Sequence, residues 1–300
     1  MRRHGARAAL GLLLAALAAW GAETVAHPYR GVAYIERTET APRSERMHIV
    51  LVDLRAPGIR FKLSPPGGAR ECVRQSTLDF LKQEHAQVAI NAHYFLPFPS
   101  PDTDAFVVGL AASEGKVYSG FETPEQSYAL VKDAPALNID PENRVAIVHR
   151  DPAFADGMHV REKVTLWNAL AGSAEIVTDG AATIPRYGVE LTAGGPRNYS
   201  AENSWYERVT ARTAIGVTRD GNTLVLFTVD ARGGSAGMKV SEVAEMLIRD
   251  YGVWEALNLD GGGSTTMAIG DRIVNTSSDN PHGRRVASSL AVFAEPAATR

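Results

Sequence analysis

The chain has 300 residues, 45% of them hydrophobic and 22% charged, with a formal net charge of −3. That length fits one large domain or two small ones, and the absence of a basic run argues against nucleic acid as a partner. Cys72 is the single cysteine, which excludes an internal disulfide; in Arg70-Glu71-Cys72-Val73-Arg74 it reads as a small tolerated side chain.

Met1-Arg2-Arg3-His4 and Arg7 precede an apolar run over residues 8–20, and the small residues Gly21, Ala22 and Ala26 follow. This order predicts a secretory signal peptide over residues 1–26. Its apolar run is shorter than the roughly 20 residues a membrane span needs, and no later segment is apolar enough for one. Cleavage after Gly21 and cleavage after Ala26 both fit. Removing residues 1–26 deletes three Arg and one Glu and leaves about 275 residues near −5, a balance that suits small neutral or singly anionic substrates. Residues 27–45 read as an N-terminal extension and 46–294 as the domain, exported to the periplasm or beyond.

Residues 47–54 read as a strand, and Pro57-Gly58 turns the chain toward a second at 59–63. Ser76 can cap a helix from Thr77 to about His85. Val88-Ala89-Ile90-Asn91 reads as a short buried strand, followed by a loop with Pro97, Pro99 and Pro101. Three hairpins are then expected: 106–110 with 116–118 around Glu114-Gly115, 136–139 with 145–148, and 165–171 with 174–177 around Gly172-Ser173. Residues 187–207 read as an irregular loop over the site. Asp220-Gly221 joins strands 213–218 and 223–229. Val240, Val243, Ala244, Leu247, Ile248 and Tyr251 recur at helical spacing, and Gly252 ends that helix. Strands at 255–259, 265–269, 272–274 and 287–293 complete the chain. The segment 223–259 is long enough for a crossover that leaves two strands parallel or nearly adjacent, with Asp230 and Asp260 at one sheet edge. The fold expected is α/β with a mixed sheet: a strand-rich single domain with a few helices packed on the sheet.

The segment Asn258-Leu259-Asp260-Gly261-Gly262-Gly263-Ser264 carries the strongest chemical signal. Three glycines straight after a strand are costly in backbone entropy, and are explained by a sharp turn or close ligand approach. Successive N–H groups there can form an anion site with Asp260 beside it. Asp230 ends its own strand as a solvent group or as the second acid of a pair. Arg212 offers a planar fork for phosphate or carboxylate, or is an exposed strand-start residue. Asn91 can hold a sugar hydroxyl or phosphate oxygen, and His93 can act as acid or base or be merely satisfied. The histidines lack paired zinc spacing and no EF-hand calcium loop is present, so no cofactor or metal site is expected and the need for a divalent ion stays open. The elbow Gly-x-Ser-x-Gly requires glycine where Thr266 stands; Ser264 therefore reads as a binding hydroxyl or turn residue.

These motifs resemble the phosphodiester glycosidase family. The resemblance rests on Arg212-Thr213-Ala214-Ile215-Gly216, the strand ending at Asp230, and the stretch from Gly237 to Ser264. Ala89-Ile90-Asn91 with Phe95, Ala171-Gly172-Ser173 with Asp179-Gly180, and Asn275 with Arg285-Val286-Ala287 extend it over roughly residues 46–293. It implies a pocket lined by Asn91, Arg212, Thr213, Asp230, Asp260 and residues 261–264, with Asn258, Gly172 and Ser173 as further substrate-binding residues. In that reading Arg212 and the amides of Gly261, Gly262 and Gly263 hold a phosphate. Asp260 stabilises positive charge or activates water, and Asp230 or His93 handles the proton. The implied activity is hydrolysis of a GlcNAc-1-phosphodiester-like linkage in an envelope or extracellular glycan. A non-catalytic glycan-binding or exopolysaccharide-assembly protein of the same fold is the alternative, with a hydrolase of other bonds behind it. Lys239 stands before the second helix, where a capping Thr is common, and predicts a weakened cap.

Overall fold

Period-two alternation in the strand Thr223–Val229 sends Leu224 and Leu226 into one apolar cluster and Val225, Phe227 and Val229 into another. Such a strand needs cover on both faces, and it lies inside an eight-stranded antiparallel sheet in the computed structural model. The structure describes residues 21–121, 131–184, 205–277 and 280–297. Across the sheet the strands are Glu23–Tyr29, Val32–Glu39, Glu45–Asp53, Thr223–Val229, Arg212–Thr218, Val253–Asn258, Ala174–Thr178 and Ala181–Ala182.

One face is covered by the helix Val240–Tyr251, which buries Val240, Val243, Ala244 and Leu247. The other is covered by a five-stranded sheet ordered Arg272–Ile273, Met267–Ile269, Val88–Asn91, Ser289–Phe293 and Arg60–Leu63. Leu63, Val88, Ile90, Met267, Leu290 and Val292 of that sheet share a core with Ile215, Leu224, Leu226 and Leu257. On its far face Ala89, Ala268 and Ala291 meet Leu78, Phe80 and Leu81 of the helix Thr77–Glu84. The layers run helix, sheet, sheet, helix. Among the described residues strand accounts for 43% and helix for 10%, so the fold is mostly β, and the expected α/β label holds only for its strand-rich sheet with helices packed on it.

Both helix ends follow their local chemistry. Ser76 accepts from the Asp79 N–H at 3.1 Å, and Gly252 closes the second helix in the left-handed region at φ 63°. Lys239 has no acceptor to offer as a cap; the Glu242 carboxylate instead accepts the Lys239 N–H at 2.7 Å.

The structure revises three expectations. Residues before 46 are no appendage, because Glu23–Tyr29 and Val32–Glu39 pair into the large sheet. The strand Lys116–Ser119 pairs with Ala111–Ser113, not with the strand Asp104–Val107, because the chain breaks at Gly109, φ 95°, where a Cβ would strike Ala171. Residues around Gly172-Ser173 form no hairpin: Asn168–Ala171 belongs to a second five-stranded sheet and Ala174–Thr178 to the large one. The crossover expected over residues 223–259 is present: the strands ending at Val229 and Asn258 are parallel and one strand apart, both pairing antiparallel with Arg212–Thr218 between them. Residues 1–20, most of the expected signal peptide, and 187–204, most of the expected loop, lie outside the described residues.

Candidate active site

The pairings Arg212↔Val229 and Ala214↔Asn258 bring Arg212, Asp230 and Asp260 to one end of the large sheet. Asn91 comes from the facing sheet and joins the two. Its amide donates to the Asp260 carbonyl at 2.7 Å, while its Oδ1 accepts from the Thr213 hydroxyl and the Thr266 N–H, both at 2.9 Å. Asn91 and Thr213 are buried and spent on one another; they fix the backbone beneath the glycine loop.

The loop is a tight 3-10 turn over Gly262–Ser264. Its amides are largely engaged: Gly262 donates to Ala211, Ser264 to Gly261 and Thr265 to Gly262. The missing side chains serve another purpose. Gly262 adopts φ 59°, and a Cβ on Gly263 would collide with the Arg284 guanidinium. A Cβ on Gly261 would press on the Ala211 carbonyl at 2.9 Å. The glycines admit a neighbouring backbone and an arginine.

Arg284 is the guanidinium at this loop. Its Nη1 donates to Ser264 Oγ at 3.1 Å, and its centre lies 4.9 Å from the centroid of the Phe98 ring. Asp260 shares the Ser264 hydroxyl. Burial pushes its carboxyl up to about 7, against the Ser264 hydrogen bond, the Arg284 charge and the Gly261 N–H. Near neutral pH it therefore exchanges a proton readily.

Asp230 lies in a different setting. Its Oδ1 accepts from the Thr276 N–H at 2.7 Å, and its Oδ2 lies 3.3 Å from His48 Nε2. The Tyr34 hydroxyl stands 2.8 Å from His48 Nδ1, and burial first, with the charges of Glu36 and Asp230, raises that phenol above its usual range. Tyr34 therefore keeps its proton, and His48 bridges it to Asp230.

Arg212 is wholly buried. Its Nε donates to the Met238 carbonyl at 3.0 Å, and its Nη2 donates to the carbonyls of Trp205 and Arg208. Nη1 is buried with no partner. Burial brings its pKa down to about 10, and the Trp205 ring lies 4.8 Å away. Arg212 braces the 205–208 segment.

His93 is also buried and fully engaged. Nε2 lies 2.9 Å from the Ala171 N and 3.0 Å from the Leu110 carbonyl oxygen, and Nδ1 lies 2.8 Å from Ser288 Oγ. Burial holds the ring neutral, pulling its pKa to about 4 against the nearby Leu110 carbonyl. Neither nitrogen is turned to the glycine loop.

Gly172 and Ser173 support the site from behind. A Cβ at 172 would strike the Asn258 carbonyl. Ser173 Oγ accepts from Asn258 Nδ2 at 2.7 Å and from the Tyr206 hydroxyl at 2.9 Å. The Trp205 indole donates to the Tyr94 hydroxyl at 3.0 Å and lines Gly261 and Gly262. Among the described residues no group of three His, Cys, Asp or Glu side chains is placed to hold a metal ion. The sequence reading passed over Arg284, Trp205, Tyr94 and His48. Arg284 adjoins the Arg285-Val286-Ala287 motif, the one local signal that pointed toward it.

The phosphodiester glycosidase family model matches residues 84–293. A stretch of 72 residues is 40% identical to mouse N-acetylglucosamine-1-phosphodiester alpha-N-acetylglucosaminidase, covering 24% of this chain and 14% of the mouse protein. The catalytic domain of the zebrafish enzyme of that name, auto-inhibited by its pro-peptide, superposes with a TM-score of 0.63 at 21% identity, covering 91% of this chain and 88% of that one. A hypothetical protein from Synechocystis superposes with a TM-score of 0.64 at 16% identity, over 88% of this chain and 62% of its own. At these identities the structural likeness shows a common fold.

Proposed function

Because the chain belongs to the phosphodiester glycosidase family, we propose that it hydrolyses a sugar-1-phosphodiester of an envelope or extracellular glycan. The observation that carries this reading is the Asp260–Ser264–Arg284 cluster on the glycine loop. A guanidinium that among the described residues donates only through Nη1 suits a phosphodiester oxygen, and a carboxyl titrating near 7 suits proton transfer at neutral pH.

In the step proposed, the bond between the sugar C1 and the phosphate oxygen breaks and the electron pair leaves with the phosphate. A water oxygen bonds to C1 and gives up its proton, so the products are the free sugar and a phosphate monoester. The departing monoester is a stable anion and needs little acid help. Ionised Asp260 takes the water proton or steadies positive charge on the sugar, and Arg284 holds the phosphate. Asp230, Arg212 and His93 serve as the frame.

The test is a screen of sugar-1-phosphodiesters, GlcNAc-1-phosphodiesters first, with product detection by mass spectrometry. Asp260→Asn protein with undiminished turnover sinks the assignment. Wild-type protein that binds glycan saturably and releases no sugar favours the non-catalytic alternative.

Export belongs to the same proposal. Cleavage after Gly21 leaves the strand Glu23–Tyr29 whole, whereas cleavage after Ala26 removes the pairs from Glu23↔Arg37 to Ala26↔Tyr34. N-terminal sequencing of secreted protein beginning at Ala22 agrees with this choice; a start at His27 refutes it.

A further inference from the structure

The strand Glu23–Tyr29 is the outermost of the eight-stranded sheet and pairs on one side with Val32–Glu39. Among the described residues nothing pairs on its other side before Tyr29, where Pro296 bridges to it and Arg30 donates to the Glu295 carbonyl. Residues 23–27 are exposed, Val25 by 54%. The Ala22 carbonyl accepts the Thr38 N–H at 2.8 Å, so the backbone of Ala22 faces the sheet. Antiparallel alternation then points the backbone groups of Thr24 and Ala26 inward and those of Glu23 and Val25 outward. Natural sheets blunt such an edge with lysine, proline or a bulge. Here those devices begin only past Ala26, with a register shift and Pro28; residues 23–26 carry none of them.

We infer that this edge seats a second copy of the chain, added antiparallel about a twofold axis at Val25, so that the two large sheets run on as one. The residues themselves select that register. Odd-numbered residues fall opposite odd-numbered ones, so outward backbone groups meet outward groups. Val25 lies against Val25 of the second copy, which covers an exposed apolar side chain, and Glu23 stands opposite His27 of the second copy on both sides of the axis. A slip of two residues either way sets Val25 against Glu23 or His27 and breaks both matches. The fit extends to length, and here it rests on the cleavage after Gly21 proposed above. A partner strand that begins at Ala22 ends opposite Pro28, one residue short of the Tyr29↔Pro296 bridge. A longer one would run into residues 295–297. One strand of contact is less than permanent dimers bury, so the association is reversible.

The experiment is sedimentation of exported protein whose first residue has been fixed by sequencing, from about 5 to about 500 µM, the range in which so small an interface is expected to dissociate. The mass of wild type should rise toward that of two chains. Val25→Lys, which sets like charges on the axis, should weaken association about tenfold. Glu23→Lys should weaken it too, and adding His27→Glu should restore it, because the pair is then reversed and not broken. Cysteine trapping reads the register. Val25→Cys should oxidise to a linked dimer, since opposed Cα atoms of a hydrogen-bonded pair lie about 5.5 Å apart. Ala26→Cys, opposite Thr24, should not, and the native Cys72 is buried. Val25→Lys that associates as wild type does, or Ala26→Cys that links as readily as Val25→Cys, overturns the proposal. Protein that begins at His27 takes down the cleavage reading and the interface together; protein that begins at Ala22 and stays monomeric throughout takes down the interface alone.

Discussion

Asp230 and Asp260 stand at the same end of the same sheet, each following a buried apolar strand, and their surroundings have opposite character. Asp230 is met by donors from other elements, the Thr276 N–H on Oδ1 and His48 on Oδ2, with Tyr34 fixing the histidine. Asp260 has the Ser264 hydroxyl, the N–H of the next residue and the charge of Arg284, and these do not offset its burial. A carboxylate at a strand end becomes reactive when its desolvation is left uncompensated. Asp230 serves as a joint, tying Thr276 to the sheet through its Oδ1.

Asp260→Asn sharpens this contrast most. Loss of the proton-transfer group is expected to lower turnover by about 10²–10⁴-fold. The same change is expected to stabilise the fold above neutral pH. Asp260 has its folded pKa raised, from 3.8 to about 7, so the folded state binds more protons than the unfolded state between those values. Wild-type stability therefore falls as pH rises from about 4 to about 7, by at most about 4 kcal/mol. Thermal melts of wild type and Asp260→Asn from pH 5 to 8.5 should diverge with rising pH; parallel curves would remove the uncompensated carboxylate from the explanation.

Arg284→Ala is next, with kcat/KM for a phosphodiester reduced by about 10–100-fold, in line with one charge-assisted hydrogen bond and its attraction. Because Arg284 lowers the Asp260 pKa, its removal should move the Asp260 limb of the pH–rate profile to higher pH. A limb that stays in place breaks the link between the two residues.

Asp230→Ala leaves the buried His48 ring and the Thr276 N–H without that carboxylate. A loss of roughly 2–4 kcal/mol in urea unfolding is expected, with a pH–rate profile that keeps its midpoint. A shifted midpoint would make Asp230 part of the chemistry. The smallest effect is expected from Tyr34→Phe, about 1 kcal/mol, with the remaining activity unaltered in its pH dependence.

Much of the frame was legible in local sequence. The Ser76 cap, the Gly252 stop and the Asp220-Gly221 turn depend on neighbours in the chain, and each was found where it was expected. The hairpin expected at Gly172-Ser173 failed because turn residues look alike whether a chain folds back into one sheet or crosses to another. Contact with the Asn258 carbonyl decides between them, and Asn258 is 86 positions away. The site divides the same way. Asn258 to Ser264 marked it, because a strand running into three glycines is a local statement. Roles for Arg212 and His93 were not readable: an arginine or histidine has the same letter whether its N–H groups face a ligand or the carbonyls of its own chain.

By itself the sequence determined that Ser76 caps one helix, that Gly252 ends the other, and that a glycine loop follows Asp260. Only the tertiary structure decided what surrounds each aspartate. Period and turn chemistry act between residues a few positions apart, whereas the state of a buried carboxyl is set by whatever the fold brings against it. For Asp230 that is His48, 182 residues away; for Asp260 it is the charge of Arg284 and the exclusion of water.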